Sequence, residues 1–237
     1  MKIVITGSRG FIGTYLRKAI EELFVSEIVE WDTSIGKDIR DFETYGDEDF
    51  VVHLAGLISP RDSINEPHKY WEKNVEYSKR IFQSCRDIPV VYASSAAAKE
   101  YWRSPYGTTK KVLETIAKRG HVGLRFETIF GDGASDIGLI TRIRNGTLKY
   151  HTDHIRDFVH IDDVVSSIML FIKQGTLNKL PYYEIGTGKP HKVSDVVKHF
   201  GVDVPFKKGD DIEIHSSVAD ITEIQKLGWK AEKSVYD

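Results

Sequence analysis

The chain has 237 residues, 41% hydrophobic and 29% charged, which is an ordinary globular composition with enough length to bury a core. Its 33 Lys and Arg stand against 35 Asp and Glu, a net charge of −2 with the signs interspersed, so neither a basic nucleic-acid surface nor a charged tail is expected. Cys85, the single cysteine, cannot close an intrachain disulfide; no apolar run is long enough to cross a bilayer, and Met1-Lys2 leads into an apolar strand with no small-residue cleavage site. A cytoplasmic protein is expected, with neither membrane nor nucleic acid as partner.

The first expected strand, KIVIT (Lys2–Thr6), ends at Gly7. A helix follows, with Phe11, Ile12, Leu16, Ile20, Leu23 and Phe24 at helical spacing. EIVEW closes on Asp32 as the second strand, and FVVHLAG (Phe50–Gly56) is a third. Trp71, Val75, Ile81 and Phe82 recur at helical spacing and predict a helix from Pro67 to Cys85. PVVYASS (Pro89–Ser95) is a strand, and Pro105 and Gly120 bracket the next helix. VGLRFETIFG reads as one strand and its turn, up to Gly131. This alternation predicts a doubly wound parallel α/β sheet with helices on both faces. Beyond Gly131, helices are expected at Ile137–Asn145, Ile161–Gln174 and Ser194–Phe200, with a strand at Tyr182–Gly186. The tail through Leu227–Trp229 is expected to pack on the sheet as a small lobe. Trp31, Trp71, Trp102 and Trp229 are read as packing residues, and Cys85 as a buried small hydrophobe.

Gly7, Gly10 and Gly13 sit between the first strand and the first helix, spaced GxxGxxG. Glycine lets the backbone turn tightly and approach a pyrophosphate, and a helix N-terminus favours its charge. Asp32 closes the next strand 25 residues after Gly7, where a carboxylate accepts the ribose hydroxyls of adenosine. The pattern therefore reads as a dinucleotide site rather than a structural turn beside a solvated acid. Asp32 repels a 2′-phosphate and favours NAD over NADP, whereas Arg9, within the loop, is the residue that could reach such a phosphate. Tyr106 and Lys110 form a YxxxK pair on one helix face. A Lys110 cation would lower the Tyr106 phenol toward a working base, and Ser95, at the end of a strand, could hydrogen-bond the same reacting oxygen. The His- and Asp-rich stretch His151–Asp163 lacks a helical His pair and is read as non-metal.

In order along the chain, these motifs resemble the extended short-chain dehydrogenase/reductase family, in its NAD-dependent epimerase/dehydratase group acting on nucleotide sugars. TGSRGFIG (Thr6–Gly13) matches TGxxGFIG and adds Phe11 and Ile12 to the cofactor loop. DIRD matches the segment whose Asp and next apolar residue, here Asp38 and Ile39, contact adenine. HLAG matches the loop beside the pyrophosphate, here Leu54, Ala55 and Gly56, and Asn74-Val75 matches an N-V pair in the long central helix. ASSAA (Ala93–Ala97) places Ser95 in the catalytic position, with Ala93 beside the cofactor. LRFETIFG resembles LRxxNxxG, with Phe126 at the cofactor and Thr128 where a substrate-contacting Asn is usual. RDFVHIDD resembles RDFxHxxD, whose Arg, here Arg156, contacts the substrate diphosphate.

The resemblance implies a Rossmann-type core over residues 1–131. Residues 132–237 would form a reduced substrate lobe, with a segment near 156–186 returning to the core. It implies a NAD-dependent nucleotide-sugar epimerase in which Tyr106 takes the hydroxyl proton, Ser95 hydrogen-bonds that oxygen, and Lys110 holds the nicotinamide ribose. A homodimer is implied through the helices near Pro67–Cys85 and Pro105–Arg119, with Trp71, Ile81, Val112 and Ile116 as apolar contacts. Ala96-Ala97 follow Ser95 where a 4,6-dehydratase carries Asp-Glu and an epimerase–reductase carries Cys. A keto-sugar reductase using NAD(P)H and a non-catalytic dinucleotide-binding regulator are the alternatives. Only ten residues separate Ser95 from Tyr106, a short loop for the family.

Overall fold

The computed structural model describes every residue except 24–26, 45 and 178, so Phe24 lies outside the described residues. In chain order the first half holds β1 (Lys2–Thr6), α1 (Phe11–Leu23), β2 (Glu27–Trp31), β3 (Phe50–His53), α2 (Pro60–Asn65), α3 (Pro67–Trp71), α4 (Tyr77–Ser84), β4 (Val90–Ser95) and α5 (Pro105–Ile116). There follow β5 (His121–Phe126), β6 (Thr128–Phe130), α6 (Leu139–Arg144), β7 (Ile155–Arg156), β8 (Phe158–His160) and α7 (Ile161–Gln174). The last elements are β9 (Tyr182–Ile185), β10 (His191–Lys192), α8 (Val193–His199), β11 (Ser216–Ser217) and α9 (Thr222–Gln225).

Side chains alternate across a strand, and here both faces of the strands are apolar. Ile3, Ile5, Val52 and Val91 bury one face against Leu16 and Ile20 of α1 and Ile168 and Ile172 of α7. Val4, Val51, Val90 and Tyr92 bury the other against Ile81 and Phe82 of α4 and Leu113 of α5. The result is a six-stranded sheet in the order β2-β1-β3-β4-β5-β9, with every pairing parallel. The connections from β1 run outward to β2 on one side, while β3 starts the run on the other. The carboxyl ends of β1 and β3 therefore flank a topological switch point, where open α/β sheets bind ligands.

Three expectations are corrected, while the helix expected from Pro67 to Cys85 forms without a break as α3, a π-helical turn over Glu72–Glu76, and α4. The widened turn presents Asn74 inward, where its amide holds Leu57 at both backbone atoms, 2.8 and 3.0 Å. The strand read from Val122 through Phe130 is two strands, because the chain leaves the main sheet at Glu127 and β6 pairs with β8 instead. Ile81 is fully buried in the chain's own core and has no surface to offer a partner, while Trp71 and Trp102 are exposed rather than packed. Trp229 and Cys85 are buried as expected.

Outside the main sheet, β10-β7-β11 form a small sheet, and Phe130, Ile140, Phe158, Val196 and Val235 form its apolar support. Asp157, fully buried, ties this part to the end of β9. Its carboxylate accepts Thr187 N at 2.9 Å, the Thr187 hydroxyl at 2.5 Å, Gly188 N at 2.8 Å and Ala219 N at 3.3 Å. Removing the carboxylate leaves several buried donors unserved. Asp157→Ala is expected to cost about 3 kcal/mol or more of unfolding free energy in a urea titration.

Candidate functional site

Gly7 follows β1 at φ +69°, and a Cβ there would stand 2.8 Å from Ala55 N. A Cβ on Gly13 would stand 2.2 Å from the Gly7 carbonyl oxygen. These two glycines let the loop fold onto the start of α1 and onto the chain leaving β3. Gly10 differs: a Cβ there would meet only Gly7 O, at 3.3 Å, so its bareness leaves cleft space that no protein atom fills. That is the cradle a pyrophosphate requires at a helix N-terminus.

Asp32, at the end of β2, accepts Arg9 N at 3.0 Å and Ser34 N at 2.9 Å. Burial works against its charge, but these hydrogen bonds and the Arg9 charge hold the carboxyl below its usual range. The Arg9 side chain itself turns away, its Nε and Nη2 on Glu30 at 2.7 and 2.8 Å. Trp31 packs on Phe42 with ring centroids 5.1 Å apart, next to the bend where Asp38 accepts Arg40 N at 2.9 Å and Ile39 is buried.

β4 sends Ser94 and Ser95 to opposite sides. Ser94 donates to Glu114 of α5 at 2.7 Å, and Ser95 Oγ accepts Ala97 N at 3.2 Å in the turn that follows. α5 starts at Ser104, which accepts Gly107 N at 3.1 Å, with Pro105 in its first turn. A Cβ on Gly107 would stand 2.9 Å from Ala97 O, so the short loop after Ser95 lies directly on this helix. Lys110 Nζ lies 5.8 Å from the Tyr106 ring centroid and donates to Ala93 O at 2.8 Å. The backbone N of Tyr106 donates to Ser63 Oγ at 3.1 Å.

The electrostatics differ from the sequence expectation. Burial pushes the Tyr106 phenol up to about 12, with hydrogen bonding from Ser95 opposing and Tyr70 adding to the rise. Burial pulls Lys110 down to about 8, against the attraction of Glu114. Desolvation thus sets the direction for both groups, and the group that opposes it at the phenol is Ser95. His53 is held neutral in the same way, at about 3, by burial and by Lys110. Its ring bridges Thr6 and Ser78 at 2.7 Å each.

All the candidate residues read from sequence line one cleft of about 960 Å³, except Arg9 and Asn74. The Arg9 side chain pairs with Glu30, and Asn74 sits behind the Leu54–Leu57 loop, bonded to Leu57. Thr128 lies on the cleft wall at the start of β6, its N donating to Asp157 O at 3.0 Å. Arg156 donates to Ile214 O at 2.7 Å and to Glu213 at 3.0 Å. Sequence reading missed Glu127, a buried carboxylate on the cleft held by Lys99 at 2.8 Å and Ser217 at 2.7 Å. It also missed Arg61 and α2, although Ser59-Pro60 is a legible helix start in which Ser59 accepts Asp62 N.

Residues 3–186 match the NAD dependent epimerase/dehydratase family. The chain belongs to that family. It is 27% identical to a putative UDP-glucose 4-epimerase of Methanocaldococcus jannaschii, over 97% of this chain and 93% of that one. It is 26% identical to an ADP-L-glycero-D-manno-heptose-6-epimerase of Cupriavidus pinatubonensis, over 83% of this chain and 76% of that one. The alignment with the first spans 288 residues, more than this chain holds, so this member of the family carries deletions relative to it. Among solved structures, MoeE5 in complex with UDP-glucose and NAD superimposes with a TM-score of 0.86 at 25% identity, over 100% of this chain and 95% of that one. A UDP-glucuronic acid 4-epimerase of Bacillus cereus gives 0.86 at 20% identity, over 100% and 96%, a likeness of fold.

Buried Lys110 predicts a pH dependence of stability. A Lys110 value of about 8 in the fold, below the usual lysine value of 10.5, means that the unfolded chain holds more protons in that window. Stability therefore gains from this group as pH rises from about 8 to about 10.5. Comparing urea unfolding of the parent with Lys110→Leu across these pH values should show that gain in the parent alone.

Proposed function

We propose that the protein is a NAD-dependent nucleotide-sugar epimerase working through Tyr106, Lys110 and Ser95. The observation that carries this reading is the convergence on one cleft of the glycine loop, the Asp32 carboxylate and the Ser95–Tyr106–Lys110 set. The donor set suits NAD: Gly10 leaves room for pyrophosphate, Asp32 keeps acceptor capacity for ribose hydroxyls, and Ile39 with Trp31 gives an apolar wall for adenine. Arg9, occupied by Glu30, is not turned toward a 2′-phosphate, which favours NAD over NADP and the epimerase over an NADPH-dependent reductase. The relatives named as sugar-nucleotide epimerases support the same substrate class.

Tyr106 receives the proton of the reacting sugar hydroxyl, and Ser95 hydrogen-bonds that oxygen. Lys110, cationic at neutral pH, favours the phenolate that this transfer needs. NAD, which the glycine loop and Asp32 would hold, would supply a two-electron acceptor for the hydride of the sugar carbon. Once the keto sugar has turned in the cleft, Tyr106 gives the proton back and the enzyme ends as it began. If two copies pair along α3, α4 and α5, Trp71, Val112 and Ile116 are the apolar groups at hand. Among the described residues no helix is long and apolar enough to cross a membrane.

Asp32→Ala removes the ribose acceptor and is expected to weaken NAD binding by about 1–3 kcal/mol in calorimetric titration. Tyr106→Phe should still bind NAD but lose turnover by about 10²-fold or more on whichever UDP-, GDP-, ADP- or dTDP-sugar the parent converts. Lys110→Met should move the rising limb of the pH–rate profile to higher pH, because the phenolate loses its cation. Full turnover by the Phe variant would remove the mechanism and leave only the dinucleotide fold.

A further inference from the structure

The segment from Gly209 to Glu213 lies at the substrate end of the cleft and places its acids on arginines of the cleft wall. The Glu213 carboxylate bridges two of them, with Oε1 3.1 Å from Arg61 Nη2 and Oε2 3.0 Å from Arg156 Nη2. Asp210 takes the other arm of Arg61. Arg103, from the loop before α5, donates to the Asp211 carbonyl at 3.2 Å. These arginines come from three separate parts of the chain, and all line the cleft.

Beneath the segment, His154 is 3% exposed. Its Nδ1 is paired with the Thr152 hydroxyl at 2.8 Å, but its Nε2 has no hydrogen-bond partner. Gly209 covers that nitrogen: a Cβ on Gly209 would stand 2.8 Å from it. A buried polar atom without a partner is costly, so this contact is not the best one the residues can make. A carboxylate held between two guanidiniums presents the two-oxygen face that a phosphate presents. Arg61 and Glu213 are also partly exposed, at 45% and 30%, and an ion pair so placed is weak enough to exchange, while Arg156 is more enclosed, at 13%.

Resting on the nucleotide-sugar reading, we propose that Asp210 and Glu213 are an internal anion that holds the place of the substrate diphosphate between Arg61 and Arg156. The diphosphate binds by exchanging with them. Arg61 is then an anion-binding residue of the loaded site, and the displaced segment uncovers His154 Nε2 as a further polar contact. Substrate affinity is reduced by the fraction of molecules in which the segment is seated.

Titration calorimetry of the full chain with inorganic pyrophosphate and with UDP tests this. Glu213→Gln keeps the size and removes the charge, so both ligands should bind about fivefold tighter or more. Asp210→Asn should act in the same direction and serves if the first variant folds poorly, which thermal melts will reveal. Arg61→Gln should weaken both ligands. Amide hydrogen exchange across residues 209–214 should rise when pyrophosphate is bound. Well-folded Glu213→Gln and Asp210→Asn variants with unchanged or weaker pyrophosphate binding overturn the proposal. Pyrophosphate carries neither sugar nor base, so tightening would stand even if no nucleotide sugar were converted. Turnover of a nucleotide sugar with an unaltered pyrophosphate response would sink the internal anion alone.

Discussion

The site depends on one close approach of backbone to backbone. The chain leaving β1 and the chain leaving β3 meet at Gly7 and Ala55, so tightly that a methyl group would not fit. Gly13 presses onto the same turn from the first coil of α1. The approach is reinforced by Thr6, whose carbonyl accepts Leu54 N at 3.0 Å and whose hydroxyl meets His53 at 2.7 Å. With the two chains in contact, the N-terminus of α1 points into the crevice at the switch point of the sheet. Every other cofactor-side residue is placed relative to that crevice: Asp32 at the neighbouring strand end, and Leu54–Gly56 on the opposite wall.

The reacting side is held by charge. Arg125 of β5 makes a two-pronged pair with Glu114 of α5, 2.7 Å on each arm, and stacks 3.6 Å over the Tyr182 ring. Glu114 also receives Ser94, so the strand carrying Ser95 and the helix carrying Tyr106 and Lys110 are locked together. Lys99, just past Ser95, reaches Glu127 at 2.8 Å and Glu184 at 2.7 Å, which fixes the short loop to β9. Burial keeps the Glu127 carboxyl above its usual range despite Lys99. Such buried pairs gain little net stability over apolar packing, but breaking one leaves a buried charge alone. Their effect here is geometric, since they fix which way Ser95 and Tyr106 face.

The same burial sets the chemistry. A phenol raised to about 12 and an ammonium lowered to about 8 both favour neutral forms. Hydrogen bonding from Ser95 is what opposes the rise at the phenol. At the other end of the cleft the charges are more exposed and the pairs more exchangeable. One cleft thus combines closely paired, buried charges around Ser95, Tyr106 and Lys110 with more exposed pairs around Arg61.

Local patterns determined much of this in the sequence itself. GxxGxxG after an apolar strand requires a tight turn at a helix start; YxxxK puts two groups on one helix face; apolar runs of four to six residues require a buried parallel sheet. These are properties of neighbours in the chain, and the structure places most of their residues on one cleft. What only the tertiary structure decided depends on partners far apart in sequence. The Arg9 side chain pairs with Glu30 while its backbone N serves Asp32, a competition between acids that sequence cannot rank. Asn74 and Ile81 are turned inward by a widened helical turn and a two-sided core. The Tyr106 phenol rises instead of falling because burial, which no motif encodes, outweighs the hydrogen bonding from Ser95. The bridge from Glu213 to Arg61 and Arg156 joins residues 152 and 57 positions apart, a contact that exists only once the chain has folded.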